Sequence, residues 1–232
     1  MHQIYTGVDC FFGTDMAKTA PEKPLSEILR ERRSTPAFDP TPVHEADLHK
    51  ILHAGLGAPS GYNLQPWRFV VVRETENRKR LRPAVHNQLK VEQAPVVIVA
   101  CGDPEGWRTG DLDEMLRLAD EHGYGDPSRR AKARATAEEF LSGPDTDIWL
   151  ARNVMLAFTQ MMLMAEALGY NTAPIEGFEE ERVRQVLNIP KHVRVIALLA
   201  IGYRQGPTKP YGGRFASERV CFEEEWGRGM KL

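Results

Sequence analysis

APSGYNLQPWRFVVV, residues 58–72, changes character halfway along its length. Its first part sets Ser60, Asn63 and Gln65 between Pro59 and Pro66, so a loop rich in donors and acceptors is stiffened at both ends. Its second part, Arg68 to Val72, is aromatic and β-branched, the composition of a strand. Ahead of it, HEADLHKILHAGL (44–56) places Leu48, Ile51, Leu52 and Leu56 at helical spacing. The stretch is therefore a helix-to-strand corner whose loop can read the edge of a heteroaromatic ring. The alternative reading is an ordinary turn with Trp67 packed in the core.

Outward from that corner, the same periodicities continue. PLSEILRERR (24–33) and residues 75–82 read as helices. PVVIVAC (95–101) is a continuous apolar run, the pattern of a buried central strand, and VRVIALLAIGY (193–203) reads as another strand. A long apolar helix is expected from about Asp147 to Leu168, stopped by Gly169 at a helix-ending position. NTAPIEGF then connects it to a charged helix, EEERVRQVLNI. Residues 104–145 are charged and carry GDP and GPD turns, which predicts one or two surface helices forming an inserted lid. From Gln205 onward there are too few core residues for independent folding, so the tail is expected to lie on something as an arm. The class is α+β, a sheet of few strands wrapped by helices.

Composition narrows the function. A formal net charge of -2 over 232 residues does not suggest nucleic acid, and no polybasic patch points to a membrane. The longest apolar stretch, near 154–168, is interrupted by Thr159, Gln160 and Glu166 and does not read as a membrane span. Cys10, Cys101 and Cys221 are odd in number and widely spaced, neither a disulfide framework nor a zinc cluster. No secretory signal is read at the N-terminus, and a second start-like sequence at Met16 makes 1–15 either an over-long gene start or a loose leader. The expected compartment is the cytoplasm. His49 and His53 have metal-ligand spacing, but no third ligand follows, so a partly solvated face is expected. Met155, Met161, Met162 and Met164 read as packing residues.

Three further segments carry chemical potential. Arg32-Arg33-Ser34 ends the first helix with two guanidiniums and a hydroxyl, a fork for a phosphate or polyol, or else simple complements to the helix dipole. Pro174-Ile175-Glu176-Gly177-Phe178 follows the longest helix, and its backbone N–H groups could face a ligand, with a plain interhelical turn as the alternative. Tyr211-Gly212-Gly213-Arg214 allows a tight turn that aims a guanidinium inward, or else is a surface arginine in a tail.

In this order, RRS, APSGYNLQPW, PIEGF and a late arginine resemble the FMN-dependent nitroreductase family over residues 24–103 and 146–222. The resemblance implies a nitroreductase-like fold: a mostly antiparallel central sheet wrapped by helices, in a domain-swapped homodimer with an extended C-terminal arm. It implies one FMN-binding domain over 23–222, with 1–22 as leader and 223–232 as tail. Arg32, Arg33, Ser34 and Arg214 would hold the ribityl phosphate. Pro59, Ser60, Asn63 and Gln65 would come from the other chain to edge the flavin. Pro174, Ile175, Glu176 and Gly177 would lie over the ring, a backbone N–H of Glu176 or Gly177 reaching flavin N5. NAD(P)H would be a transient electron donor, and the acceptor a small electron-poor molecule such as a nitroaromatic or quinone, in ping-pong turnover. No catalytic side chain and no metal are implied.

The chain departs from the family twice. Pro36 and Gly212 stand where basic residues are usual, and Arg33, Lys209, His86 or Asn87 are the candidates to compensate. Two rival readings follow. One is a reductive dehalogenase-like flavoenzyme, decided by which substrate Trp107, Tyr124 or the lid arginines enclose. The other is a non-catalytic flavin-binding regulatory protein, favoured by the missing cations. The basic stretch Arg129, Arg130, Lys132 and Arg134 is read as a solvated helix face.

Overall fold

The computed structural model describes residues 22–124 and 126–232; the expected leader at 1–15, the Met16 start and Cys10 lie outside them. The fold is organised by β2 (Val96–Gly102), buried at every position. It pairs antiparallel with β1 (Trp67–Val72) on one side and β4 (Arg194–Gly202) on the other. β3 (Asn171–Ile175) adds to β4, giving the order β1-β2-β4-β3 with every pairing antiparallel. A strand apolar on both faces needs a layer of helices on each, and both are present.

On one face lie α2 (Glu45–Leu56) and α7 (Thr146–Ala167), burying Leu48, Ile51, Val154, Phe158 and Met161 against Ile98, Ala100 and Leu199. Gly55 permits this approach: a Cβ there would come within 2.7 Å of Met161 Cγ. On the other face, α3 (Thr75–Ala84) and α8 (Glu180–Leu187) pack Leu81 and Val183 against Val97, Val99 and Leu198. α1 (Leu25–Glu31) lies against α7, and the short α4 (Lys90–Gln93) leads into β2. By length and hydropathy alone α7 could cross a membrane. Its packing makes it the central helix of the domain, with Asn153 and Glu166 buried on hydrogen-bonding partners. It ends where expected, at Gly169 with φ +89°.

One connecting segment differs from the sequence expectation. Residues 171–175 were expected to link two helices, and they form the edge strand β3 instead. Pro174 costs the ladder nothing there, because an edge strand leaves alternate N–H groups unpaired in any case. The segment 104–145 forms a wide turn at Trp107–Asp111, then α5 (Leu112–Glu121) and α6 (Arg130–Leu141). It has a small core of its own, Leu112, Ala137 and Leu141 with Leu64. Arg68 on β1 holds its base, Nη2 donating to both Asp111 oxygens at 2.9 and 2.7 Å. The tail after Gln205 adds no strand to the sheet, and Trp226 stands 90% exposed on it.

Candidate active site

The end of α1 opens into a polar pocket of 360 Å³. Arg32 and Arg33 line it together with Lys23, Arg204 and Lys209, five cations against the carboxylates of Glu31 and Glu166. Nη1 of Arg32 is buried without a hydrogen-bond acceptor among the described residues. Arg33 donates from Nη1 to the carbonyls of Arg30 and Arg32, both at 2.9 Å, so it also closes the helix terminus. Ser34 follows at a half-buried position. Arg214 does not line the pocket and approaches it only through one ring: Tyr211 lines the pocket, with the Arg33 guanidinium 4.7 Å and that of Arg214 5.6 Å from its centroid. Glu166 accepts from the N–H and hydroxyl of Thr172 at 2.9 and 2.6 Å. Burial raises its carboxyl above the ordinary value, against the pull of those bonds and of Arg32 and Lys23.

The loop 58–65 is held in an unusual shape. Tyr62, Asn63 and Gln65 all have positive φ, at 57°, 54° and 47°. Such backbone persists only where its surroundings impose it. The tethers are visible: Gly61 N–H donates to Asn153 Oδ1 at 2.9 Å, and Gln65 N–H to Ser60 Oγ at 2.9 Å. Gly61 has no room for a side chain, since a Cβ would sit 2.6 Å from Trp149 Nε1. Pro59, Ser60 and Asn63 face a 640 Å³ pocket beneath α5 and α6. Gln65 turns instead to an apolar groove of 830 Å³ between α1, α2 and α7.

The third cluster lies at the end of β3. Thr172 turns its backbone to the free edge, where its carbonyl accepts from Thr35 N–H at 2.9 Å. By the alternation of strand residues, Pro174 and Glu176 share that orientation. Glu176 and Gly177 are exposed, and Gln88 Nε2 donates to the Gly177 carbonyl at 3.2 Å. Ile175 differs: its side chain is 3% exposed and belongs to the core, which leaves only its backbone for a ligand. His86 and Asn87, with φ of 54° and 57°, adjoin this cluster, His86 3.7 Å from where a Gly177 Cβ would sit. Neither lines the arginine pocket, so of the expected compensating residues it is Arg33 and Lys209 that do.

Within one chain the site residues thus line separate pockets, the groove of Gln65 sharing Lys23 and Ile28 with the arginine pocket. β3 joins two of them, the arginine pocket at Asn171 and the Glu176–Gly177 end, about 16 Å apart at strand rise. The loop 59–63 lies with the lid. Sequence reasoning missed Lys23, Arg204 and Tyr211 as pocket residues. Tyr211 had a usable signal, an aromatic next to the glycines that aim Arg214. The pair of histidines plays a different part: His49 Nε2 lies 3.3 Å from the Glu45 carboxylate, while His53 lines the apolar groove.

Comparison with known proteins agrees with this architecture. The model of the Nitroreductase family matches residues 29–203. A Thermus thermophilus protein named NADH dehydrogenase is 36% identical over 188 residues, covering 81% of this chain and 90% of its own. Bacillus subtilis YdgI, which carries a provisional NAD(P)H nitroreductase name, is 33% identical over 76% of this chain and 86% of its own. Among solved structures, a provisional nitroreductase of Exiguobacterium sibiricum in complex with FMN superposes with a TM-score of 0.80. It is 27% identical and covers 89% of this chain and all of that one. With the fold, the ordered motifs and these matches in agreement, the chain belongs to the nitroreductase family.

Proposed function

We propose that this protein is an FMN-dependent NAD(P)H oxidoreductase, a cytoplasmic homodimer that reduces small electron-poor molecules such as nitroaromatics or quinones by alternating half-reactions. The observation that carries the reading is the arginine pocket. A buried guanidinium N–H without an acceptor is costly to leave unpaired, and a phosphate oxygen is the acceptor such a pocket suits. Five cations around two carboxylates leave an excess of positive charge that fits a dianionic phosphate. Lys209 and Arg204 supply charge near where Pro36 and Gly212 withhold it, which weakens the case for a non-catalytic flavin binder.

When bound, FMN supplies the electron transfer between nucleotide and acceptor. The chain's own groups bind and orient. Arg32, Arg33, Lys209 and Arg214 would take the phosphate, with Ser34 on the ribityl chain. The edge of β3 would lie along the ring system, where Pro174 presents a flat face without a competing N–H. A backbone N–H of Glu176 or Gly177 would donate to N5 and favour electron density there. Pro59, Ser60, Asn63 and Gln65, from the second subunit, would border the ring. The strained backbone at Tyr62, Asn63 and Gln65 supports a loop shaped for such a role.

The test is an anaerobic absorbance spectrum of the purified protein before and after NADH or NADPH. Oxidised-flavin bands that bleach on addition are expected. Failure of added FMN to bind would overturn the cofactor assignment, and FMN that neither nucleotide reduces would overturn the NAD(P)H assignment.

A further inference from the structure

Of the charged side chains that line the arginine pocket among the described residues, Glu166 alone is buried, 7% exposed near the end of α7. It ties several parts of the pocket together. Its Oε1 accepts from both the N–H and the hydroxyl of Thr172, at the start of β3. The Thr172 carbonyl in turn accepts from the N–H of Thr35, directly after Arg32, Arg33 and Ser34. One residue further along α7, the Ala167 carbonyl accepts from Lys23 N–H at 3.1 Å. A carboxylate held in this way cannot simply swing out to water when another anion arrives.

The charges around it are unbalanced. Lys23, Glu31, Arg32 and Arg33 reach the pocket from the two ends of α1, Arg204 from beyond β4, and Lys209 and Tyr211 from the arm. β3 contributes Asn171 and Thr172, which are neutral, and α7 lines the pocket with no second ionisable group. Glu31 is exposed, so Glu166 is the counter-charge set among the cations. It relieves their mutual repulsion, and a phosphate dianion would do so more fully. A bound phosphate therefore puts a second anion beside Glu166, which favours the protonated carboxyl. Burial already pushes the Glu166 carboxyl in that direction, opposed by its bonds to Thr172 and by Arg32 and Lys23.

We propose that Glu166 is a proton-linked counter-anion of the phosphate site: it holds the cations together until a phosphate binds, then takes up a proton from solvent, so that FMN retention weakens as pH rises. The proposal rests on the FMN reading for the source of the phosphate, but not for the coupling. The sign follows from linkage. A proton held more tightly in the complex than in the apoprotein makes affinity fall as pH rises between the two titrations.

The experiment is a fluorescence titration of the apoprotein with FMN from pH 5 to 8.5, on the wild type, Glu166→Gln and Thr172→Val. The phosphate of FMN has its own second ionisation near ~6, but it is common to all three proteins, so the ratio of their Kd values isolates Glu166. Glu166→Gln keeps an acceptor for Thr172 and removes the charge. It is expected to approach the wild type at the acid end and to bind FMN about tenfold more tightly at the alkaline end. Thr172→Val removes one donor to the carboxylate and should move the fall in affinity to higher pH. Calorimetry in buffers of different ionisation enthalpy should show more proton uptake by the wild type than by Glu166→Gln. Riboflavin, which has the ring without the phosphate, should not distinguish the two. A ratio that stays constant with pH, or an equal effect on riboflavin, would overturn the proposal. Should Glu166→Gln not fold, the ratio against Thr172→Val decides: a peak at intermediate pH supports the coupling and a constant value refutes it. Should no variant bind FMN, inorganic phosphate replaces it, read by the rise in Tm. A rise that grows with pH in Glu166→Gln relative to the wild type supports the coupling, and no rise, or the same rise in both, refutes it.

Discussion

Arg32 and Glu166 show how far a single residue's surroundings set its role. Arg32 brings its guanidinium to a pocket where one nitrogen finds no acceptor among the described residues. A charge-assisted hydrogen bond is worth about 1.5–3 kcal/mol. Arg32→Ala is accordingly expected to weaken FMN binding by about 10- to 150-fold, with Arg214→Ala at the lower end because Arg214 is exposed on the arm. Fluorescence titration of the apoprotein measures both, and FMN affinity unchanged in Arg32→Ala would remove that residue from the site. Glu166 is the opposite case, an acid whose carboxyl is pushed up by burial. The unfolded chain releases this proton near 4.5 and the folded chain at higher pH, so between the two the folded form holds more protons. Stability falls as pH rises through that window and is unpenalised below it. Glu166→Gln keeps an acceptor for Thr172 and should flatten that fall, gaining on the wild type above the window. Melting temperatures taken from pH 4 to 8 that run parallel for the two proteins would contradict this. The adjacency of Arg32 and Arg33 is plain in the sequence. Lys23 and Arg204 are not, because they converge only once β3 and β4 have paired and brought Asn171 beside Arg204.

At the scale of elements, legibility followed how many residues repeat one signal. β2 was readable because seven successive positions are buried, and α7 because its apolar pattern runs for 22 residues before Gly169. β3 was not, since five residues containing a proline carry almost no periodicity, and only the free edge of β4 makes them a strand. The loop 58–65 was read as a stiffened, polar corner, yet its left-handed residues are dictated from outside by α7. That dependence is testable. In Gly61→Ala the new methyl would meet the Trp149 indole at 2.6 Å, and overpacking of this kind costs about 1–3 kcal/mol. Urea unfolding should register the loss, with FMN binding weakened beyond what the stability change explains. Wild-type stability in this variant would mean that Trp149 shifts freely and does not hold the loop in shape.

At the scale of the molecule, an apolar surface finds no partner among the described residues. Leu25 and Leu29 on α1, Leu56 on α2 and Leu156 on α7 are each 46–65% exposed, around the 830 Å³ groove lined by Leu163 and Met164. Tyr211, Phe215, Val220 and Trp226 on the arm are exposed as well. A folded monomer rarely shows so much contiguous apolar surface to water. The sequence carried these leucines as helical stripes, but a stripe does not say whether it packs within its own chain or against another. The proposed site needs the same resolution, because the loop 59–63 and the arginine pocket do not meet within one chain. Dimerisation and FMN retention should therefore be lost together. Light scattering is expected to give about twice 26.2 kDa for the wild type. Leu25→Glu combined with Leu163→Glu places two charges in the groove and should yield a monomer that no longer keeps FMN. Thermal stability of the wild type should also rise with protein concentration, as mass action requires of a coupled dimer. A folded monomer that retains FMN at wild-type affinity would show that one chain completes the site, and the two-chain assignment of Pro59, Ser60, Asn63 and Gln65 would fall with it.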